Sequence, residues 1–71
     1  MNNFKYEYNG WNFTIPMFHK IYNQWKIMAV NEKLQLHEAM FVDEKYIDSE
    51  EKFIKECIRF YNNMLCDFET N

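Results

Sequence analysis

Two cysteines, Cys57 and Cys66, and two histidines, His19 and His37, are the residues of this chain best suited to nucleophilic or metal chemistry. A structural zinc site needs about four such ligands, usually in closely spaced pairs. The chain has no Cys-x-x-Cys and no His pair at ligand spacing, so the sequence predicts no metal centre. A Cys–His nucleophile meets the same objection, because nothing in the sequence places a histidine beside a cysteine. We therefore expect no metal, no cofactor and no enzymatic activity.

The spacing of the two cysteines also bears on their chemistry. They lie in a segment with helical periodicity, and their separation places them half a turn out of phase, on opposite faces. They therefore cannot form a disulfide with each other within one helix. Cys57 belongs to the apolar stripe of that segment and is predicted to be a buried, inert thiol, whereas Cys66 falls on the polar face.

Acidic residues are concentrated in the second half of the chain. Residues 36–71 carry nine acids against four bases, whereas residues 1–35 carry four lysines against two glutamates. The acids do not match a calcium loop, because Lys45 and Ile47 occupy positions that need oxygen ligands. A negative surface instead favours a partner with a basic surface. The alternative interpretation is that the acids only keep a small aromatic-rich domain in solution.

Aromatic residues supply a second candidate feature. They make up 20% of the chain, which is more rings than one thin core layer can enclose. Exposed aromatics are enriched in binding hot spots. We combine the rings that fall at or outside the predicted apolar stripes with the acids around the start of the last helix. The predicted partner-binding residues are Asp43, Glu44, Asp48, Glu50, Glu51, Glu56, Tyr22, Tyr46 and Phe60.

The element that positions most of these residues is a C-terminal helix. Apolar residues recur there every three or four positions and fall in an arc about 140° wide, as expected of a helix lying on a core. Asp48 is the predicted N-cap, with Glu51 three residues later as in a capping box. We predict a helix over residues 49–67. Its predicted apolar stripe is Phe53, Ile54, Cys57, Ile58, Tyr61, Met64, Leu65 and Phe68.

Residues 4–15 carry the strongest strand signal. Two alternating segments flank Asn9-Gly10, the dipeptide preferred in two-residue type I′ hairpin turns. Because the C-terminal helix needs a sheet to pack on, the aromatic face of this hairpin is predicted to be mainly core. The turn places six residues on that face in three facing pairs: Tyr8 with Trp11, Tyr6 with Phe13, and Phe4 with Ile15.

Residues 16–42 are compatible with two interpretations. A helix could begin at Pro16, because the apolar residues that follow it also fit helical spacing. We favour strands over residues 24–30 and 34–41, since both segments alternate with a period of two. A turn at Asn31-Glu32 would join them. That turn would place Leu34 opposite Ala29 and Leu36 opposite Ile27.

Together these elements predict a single small α+β domain over residues 1–71. An antiparallel sheet of three to four strands, made of the N-terminal hairpin and the central strands, is covered on one face by a single C-terminal amphipathic helix. Apolar runs are far shorter than the roughly 20 residues needed to cross a bilayer. The polar N-terminus does not read as a signal peptide. We therefore expect a cytoplasmic protein with no membrane partner.

The favoured functional hypothesis is a non-enzymatic protein-binding module, a small inhibitor that docks on a basic, nucleic-acid-handling host protein. In general kind the chain is similar to phage or mobile-element inhibitors of host defence nucleases, anti-CRISPR proteins among them, which are short, often acidic and without recognisable motifs. The alternative is a sheet-based nucleic-acid-binding or regulatory protein, favoured by the lysines of the first half. A single arginine and a net charge of −3 make nucleic acid the less favoured partner. A homodimer that buries the aromatic residues outside the predicted core is compatible with either hypothesis.

Overall fold

The structure, a computed structural model, describes residues 3–69, with the backbone alone at Pro16 and Met17. Within that range four antiparallel strands form one sheet in the order β1–β2–β3–β4, and one α-helix follows them. This α+β architecture confirms the predicted fold class. The elements are β1 Lys5–Tyr8, β2 Trp11–His19, β3 Gln24–Asn31, β4 Leu36–Val42, a short 3-10 helix Glu44–Tyr46, α1 Glu50–Asn63 and a second 3-10 helix Leu65–Glu69.

The first hairpin forms around the predicted turn, and two of the three predicted facing pairs are observed. Asn9 (φ 51°) and Gly10 (φ 85°) both take positive φ, the conformation that a type I′ turn requires. Trp11 and Phe13 have no exposed surface, and Tyr8 packs against the same core. The aromatic face of the hairpin is therefore core. The observed pairs are Lys5–Thr14, Tyr6–Phe13, Glu7–Asn12 and Tyr8–Trp11.

Strand β2 continues past the first hairpin and contains a β-bulge. Between Thr14 and Met17 its register against β3 shifts by one residue. Pro16 lies in this interval, and because proline has no N–H to donate, it is tolerated in a sheet at such a bulge. The extra residue reverses the alternation of the strand, so that odd-numbered positions face α1 before the bulge and even-numbered positions face it afterwards. The alternative helix beginning at Pro16 is therefore wrong.

Strands β3 and β4 lie close to their predicted positions, but their predicted register is wrong. Ala29 faces Glu38 rather than Leu34, and the other pairs are displaced equally, from Asn31–Leu36 to Trp25–Val42. Because the displacement of four residues is even, each residue of β4 still lies on the predicted face of the sheet.

The cause of this displacement is the loop that joins the two strands. Four residues, 32–35, replace the expected turn at Asn31-Glu32. Gln35 takes φ 56° and donates its N–H to the carbonyl oxygen of Glu32 at 3.2 Å. Oδ1 of Asn31 accepts the N–H of Leu34 at 3.0 Å. The side chain of Asn31 therefore stabilises a longer loop than the sequence pattern indicates.

Helix α1 lies inside its predicted range. Its N-cap is Ser49, whose Oγ accepts the N–H of Lys52 at 3.2 Å, so the prediction of Asp48 as N-cap is wrong. Ser49 directly precedes Glu50, the first residue of α1, and its side chain can therefore reach the free N–H groups of the first turn. The α-helix ends at Asn63, and Leu65–Glu69 continue in the tighter 3-10 form, so the predicted end at residue 67 is also wrong.

The buried stripe of α1 differs from the prediction at two positions. Phe53 and Cys57 are fully buried as expected. Met64 is 43% exposed, because the α-helix has ended and the helical phase changes there. Phe60, predicted to be an interface aromatic, is 1% exposed, and its ring packs edge-on against Phe13 with centroids 6.1 Å apart. Phe60 is therefore a core residue.

Helix α1 runs parallel to β1. The ring of Phe53, at the start of the helix, lies 5.7 Å from that of Phe4, and the ring of Tyr61, in its last turn, lies 5.2 Å from that of Tyr8. The sheet therefore has two ends with different neighbours. We call the end formed by the Asn9-Gly10 turn, loop 32–35 and Leu65–Glu69 the closed end. The open end consists of loop 20–23, residues 43–49 and the first turns of α1.

Candidate interaction surface

The open end presents apolar side chains from the β2–β3 connection. Ile21 is 85% exposed and Tyr22 is 56% exposed, and both lie in loop 20–23. Phe18, in the last part of β2, is 38% exposed. These three side chains extend the apolar surface of the protein beyond the region that α1 covers.

Stacked rings hold Tyr22 in place. Its ring stacks on His19 with centroids 4.6 Å apart, and Phe41 packs edge-on against both rings, at 4.8 Å from Tyr22 and 5.4 Å from His19. This group lies on the uncovered face of the sheet, opposite α1. Nδ1 of His19 is buried there without a hydrogen-bond partner among residues 3–69, so this side of the imidazole contributes packing alone. The exposed tyrosine is thus preorganised rather than free to rotate.

On the helix side of the same end, Phe18 and Trp25 form a second ring pair. Their centroids are 5.2 Å apart. Nε1 of Trp25 donates to a carboxylate oxygen of Glu44 at 3.2 Å, and Nε2 of Gln24 donates to Asp43 at 3.1 Å. These contacts tie the end of β4 to the start of β3. They bring two predicted acids, Asp43 and Glu44, to the same end as predicted Tyr22.

The remaining predicted acids differ in how far their charge is neutralised. Within residues 3–69 the ion pairs are Lys52–Asp48 at 3.1 Å and Arg59–Glu56 at 2.6 Å. Glu50 and Glu51 are exposed in the first turn of α1 and belong to neither pair. Asp43 and Glu44 accept hydrogen bonds from neutral groups only. Within residues 3–69, four carboxylates of the open end therefore form no ion pair: Asp43, Glu44, Glu50 and Glu51.

Lysines interrupt the predicted acidic surface. A groove of about 480 Å³ beside the start of α1 is lined by Tyr46 with Lys45, Lys52, Lys55 and Glu56. Nζ of Lys45 lies 5.2 Å from the centroid of the Tyr46 ring, a cation–π contact. Tyr46 is exposed as expected. It lies among positive charges, and Phe60 is buried, so the nine predicted residues do not form one uniformly acidic, exposed surface.

Sequence reasoning missed two residues of this surface, Ile21 and Phe18. Both fall in residues 16–23, where the strand and helix interpretations competed and no element was assigned. Pro16 was the available signal, because a proline between two strand-like segments is typical of a bulge or an edge. A strand continued through Pro16 would have placed a loop at residues 20–23.

Cys57 has the buried environment that its helical phase indicates, whereas Cys66 lies beyond the end of α1, in the 3-10 helix Leu65–Glu69. Both are free thiols, with Cys57 buried and Cys66 half-buried. Burial, with a smaller contribution from the charge of Glu56, raises the pKa of the Cys57 thiol to about 12. Sγ of Cys66 lies 3.2 Å from the carbonyl oxygen of Asn62, to which it can donate. A thiol held neutral in a core is a poor nucleophile.

Residues 3–69 contain no group of three or more His, Cys, Asp or Glu side chains placed to hold a metal ion. Among these residues no helix has both the length and the apolar composition needed to cross a membrane. No protein-family model matches the chain, and no match was found among curated proteins or solved structures.

Proposed function

We propose that this protein is a non-enzymatic binding module that docks through its open end on another protein with a basic surface. The observation that carries the proposal is the exposure of Ile21 and Tyr22 on a braced loop, at the end of the sheet that also carries four carboxylates with no ion pair within residues 3–69. Exposed apolar side chains that cluster and are held in place are typical of interaction sites.

The brace around Tyr22 supports this interpretation. A ring that already lies in one position loses little conformational entropy when a partner covers it. His19 and Phe41 supply that support from the uncovered face of the sheet. The same loop presents Ile21 almost completely to solvent. We therefore assign Ile21 and Tyr22 as the apolar anchors and the carboxylates as the groups that orient the partner.

The charge of the open end favours a partner that handles nucleic acid. Proteins that bind phosphate backbones present clustered lysines and arginines. Carboxylates at the open end can occupy such a surface while Ile21 and Tyr22 anchor beside it. Occupation excludes the nucleic acid, and this is the mode of action that we assign: inhibition of a host nucleic-acid-handling protein in the cytoplasm, of the anti-CRISPR or anti-defence type carried by phages and mobile elements.

The test is binding to a purified RNA-guided nuclease, measured by biolayer interferometry with matched variants at the two ends. Ile21→Glu should weaken binding at least about tenfold, because it places a charge where an apolar anchor is needed. Leu34→Glu is the control, since Leu34 is exposed in the equivalent loop of the closed end. Replacing Glu50 and Glu51 by lysine should weaken binding and flatten its salt dependence, whereas Glu32→Lys should not.

Equal effects at both ends would show that the open end is not the docking site. A nuclease that does not bind the wild-type protein would remove that class of partner from the proposal. Each variant is first checked by urea unfolding, because lysines at the start of α1 also act unfavourably on the helix dipole.

A nucleic-acid-binding protein is the second candidate. Lys5 and Lys26 face away from α1 on the uncovered side of the sheet, the surface that sheet-based binders use. A gel shift at low salt with single- and double-stranded DNA decides between the two candidates. Clear binding that is lost on Lys26→Glu would reverse their order.

A further inference from the structure

The outer edge of β4 is the longest unpaired strand edge among the described residues. Strand β4 pairs with β3 over seven consecutive residues without a bulge, and within residues 3–69 no strand pairs with its other side. Such an edge presents a row of backbone N–H and C=O groups that can bind another strand. Leu36, Ala39, Met40 and Phe41 are all left half-buried along it.

The other sheet edge, β1, is protected in the usual ways. It has four residues, and Lys5 and Glu7 occupy its uncovered face. Short length and charged side chains are devices that keep an edge from pairing. Strand β4 has seven residues, and its sequence Leu-His-Glu-Ala-Met-Phe-Val contains no proline, glycine or lysine. Its single formal charge is Glu38, which faces the side of α1.

We infer that the edge of β4 binds the same edge of a second copy of this chain, antiparallel, about a two-fold axis at Ala39. Ala39 is the central residue of β4, so only this register pairs all seven residues of both strands. The two sheets then join into one sheet, with α1 of each copy on the same face. This inference is independent of the function proposed for the open end.

Side chains of β4 are self-complementary in this register. Leu36 faces Val42 of the second copy, His37 faces Phe41, and Ala39 faces itself. Glu38 faces Met40, whereas a register centred on Glu38 would place two carboxylates directly opposite each other. In the register centred on Ala39 the two Glu38 side chains are diagonal neighbours, roughly 7 to 8 Å apart by sheet geometry. Their repulsion weakens the dimer without preventing it.

The size of the protein favours this occupant over a strand from an unrelated protein. A chain of 71 residues buries only about 60% of the surface that it exposes when unfolded, and its stability is correspondingly small. Pairing with a second copy adds backbone hydrogen bonds and covers half-buried apolar side chains at no cost in chain length. An edge of seven residues makes a small interface, so we expect a dimer whose population depends on concentration in the micromolar to millimolar range.

The test is light scattering coupled to size-exclusion chromatography over a concentration series of the full chain. The wild-type mass should rise from one chain toward two. Ala39→Lys should shift the midpoint to at least about tenfold higher concentration, because two lysines meet at the axis. Thr14→Lys is the matched control: Thr14 is also half-buried on the uncovered face, but lies on central strand β2, and its substitution should leave the midpoint unchanged.

Glu38→Gln should strengthen the dimer, whereas Ala39→Lys should weaken it. Removing the diagonal repulsion should move the midpoint to severalfold lower concentration. Circular dichroism confirms that each variant is folded. A mass that stays at one chain at every concentration overturns the inference. A dimer that Ala39→Lys leaves intact also overturns it, because another surface must then form the dimer.

Discussion

The two ends of the sheet carry loops with the same backbone design and different surroundings. Loop 20–23 and loop 32–35 each have four residues, and in each the last N–H donates to the carbonyl of the first at 3.2 Å. Their last residues, Asn23 and Gln35, take φ 54° and 56°. Loop geometry therefore does not explain why one end is covered and the other exposes Ile21.

The difference comes from the end of the chain. At the closed end the 3-10 helix Leu65–Glu69 packs over the first hairpin, with Leu65 fully buried and the ring of Phe68 6.0 Å from Trp11. Asn31 is buried there and holds its loop by a side-chain hydrogen bond. Within residues 3–69 no segment covers loop 20–23 in this way. One end of the sheet is thus covered by the chain itself, whereas the other keeps Ile21 and Tyr22 exposed, as the proposed docking site requires.

The largest predicted effect is the difference between the reaction rates of two thiols, Cys66 at the closed end and Cys57 beneath α1. Cys66 lies in the segment that covers the closed end, and Cys57 lies in the core beneath α1 with its pKa raised to about 12. At about pH 8 we expect Cys66 to react with a disulfide reagent at least ~10³-fold faster than Cys57. The reason is that Cys57 can react only when the core opens, and that its thiol is almost never deprotonated. Cys66→Ser retains the Cys57 thiol and Cys57→Ala retains the Cys66 thiol, so the absorbance of the released reagent measures each reaction rate separately. Similar rates would mean that the core beneath α1 opens as readily as the closed end.

A smaller effect is expected on stability. Trp11→Ala removes a fully buried ring that contacts Phe68, and should lower the free energy of unfolding by about 3 to 5 kcal/mol. Ile21→Ala at the open end should change it by less than ~0.5 kcal/mol, since its side chain is almost fully exposed. Urea denaturation followed by circular dichroism measures both values. A large loss for Ile21→Ala would mean that the open end is structural.

The smallest predicted effect compares the last residues of the two loops. Glutamine is strained at positive φ, whereas asparagine tolerates it. Gln35→Gly should therefore stabilise the protein by about 0.5 to 1 kcal/mol, and Asn23→Gly should be close to neutral. Both variants are compared with wild type by urea denaturation. If the two substitutions had equal effects, the loops would differ in more than the residue at this position.

Local signals in the sequence predicted those parts of the fold that depend on neighbouring residues. Asn9-Gly10 specified its turn because both residues accept positive φ, and the period of α1 specified a helix because its stripe repeats over several turns. The register of β4 escaped prediction because it depends on the side chain of Asn31 binding inside a loop. Phe60 was misassigned although it follows Phe53 by seven residues and Cys57 by three, the spacing of one helix face, because the predicted arc of core residues stopped short of it. The candidate surface was predicted in part, through Tyr22, Asp43 and Glu44, but Ile21 depends on a strand that continues through Pro16.

The bulge at residues 15–16 means that β2 holds one residue more than the facing part of β3. The residues on either side of it keep their partners, so Thr14 faces Met28 before the bulge and Phe18 faces Trp25 after it. Because paired residues lie on the same face of a sheet, deleting one residue within the bulge should leave Phe18 facing α1 and His19 on the uncovered face. The support of Tyr22 would then be kept. The surface of the open end therefore tolerates a change of one residue in chain length at this point, while the fold that carries it stays the same.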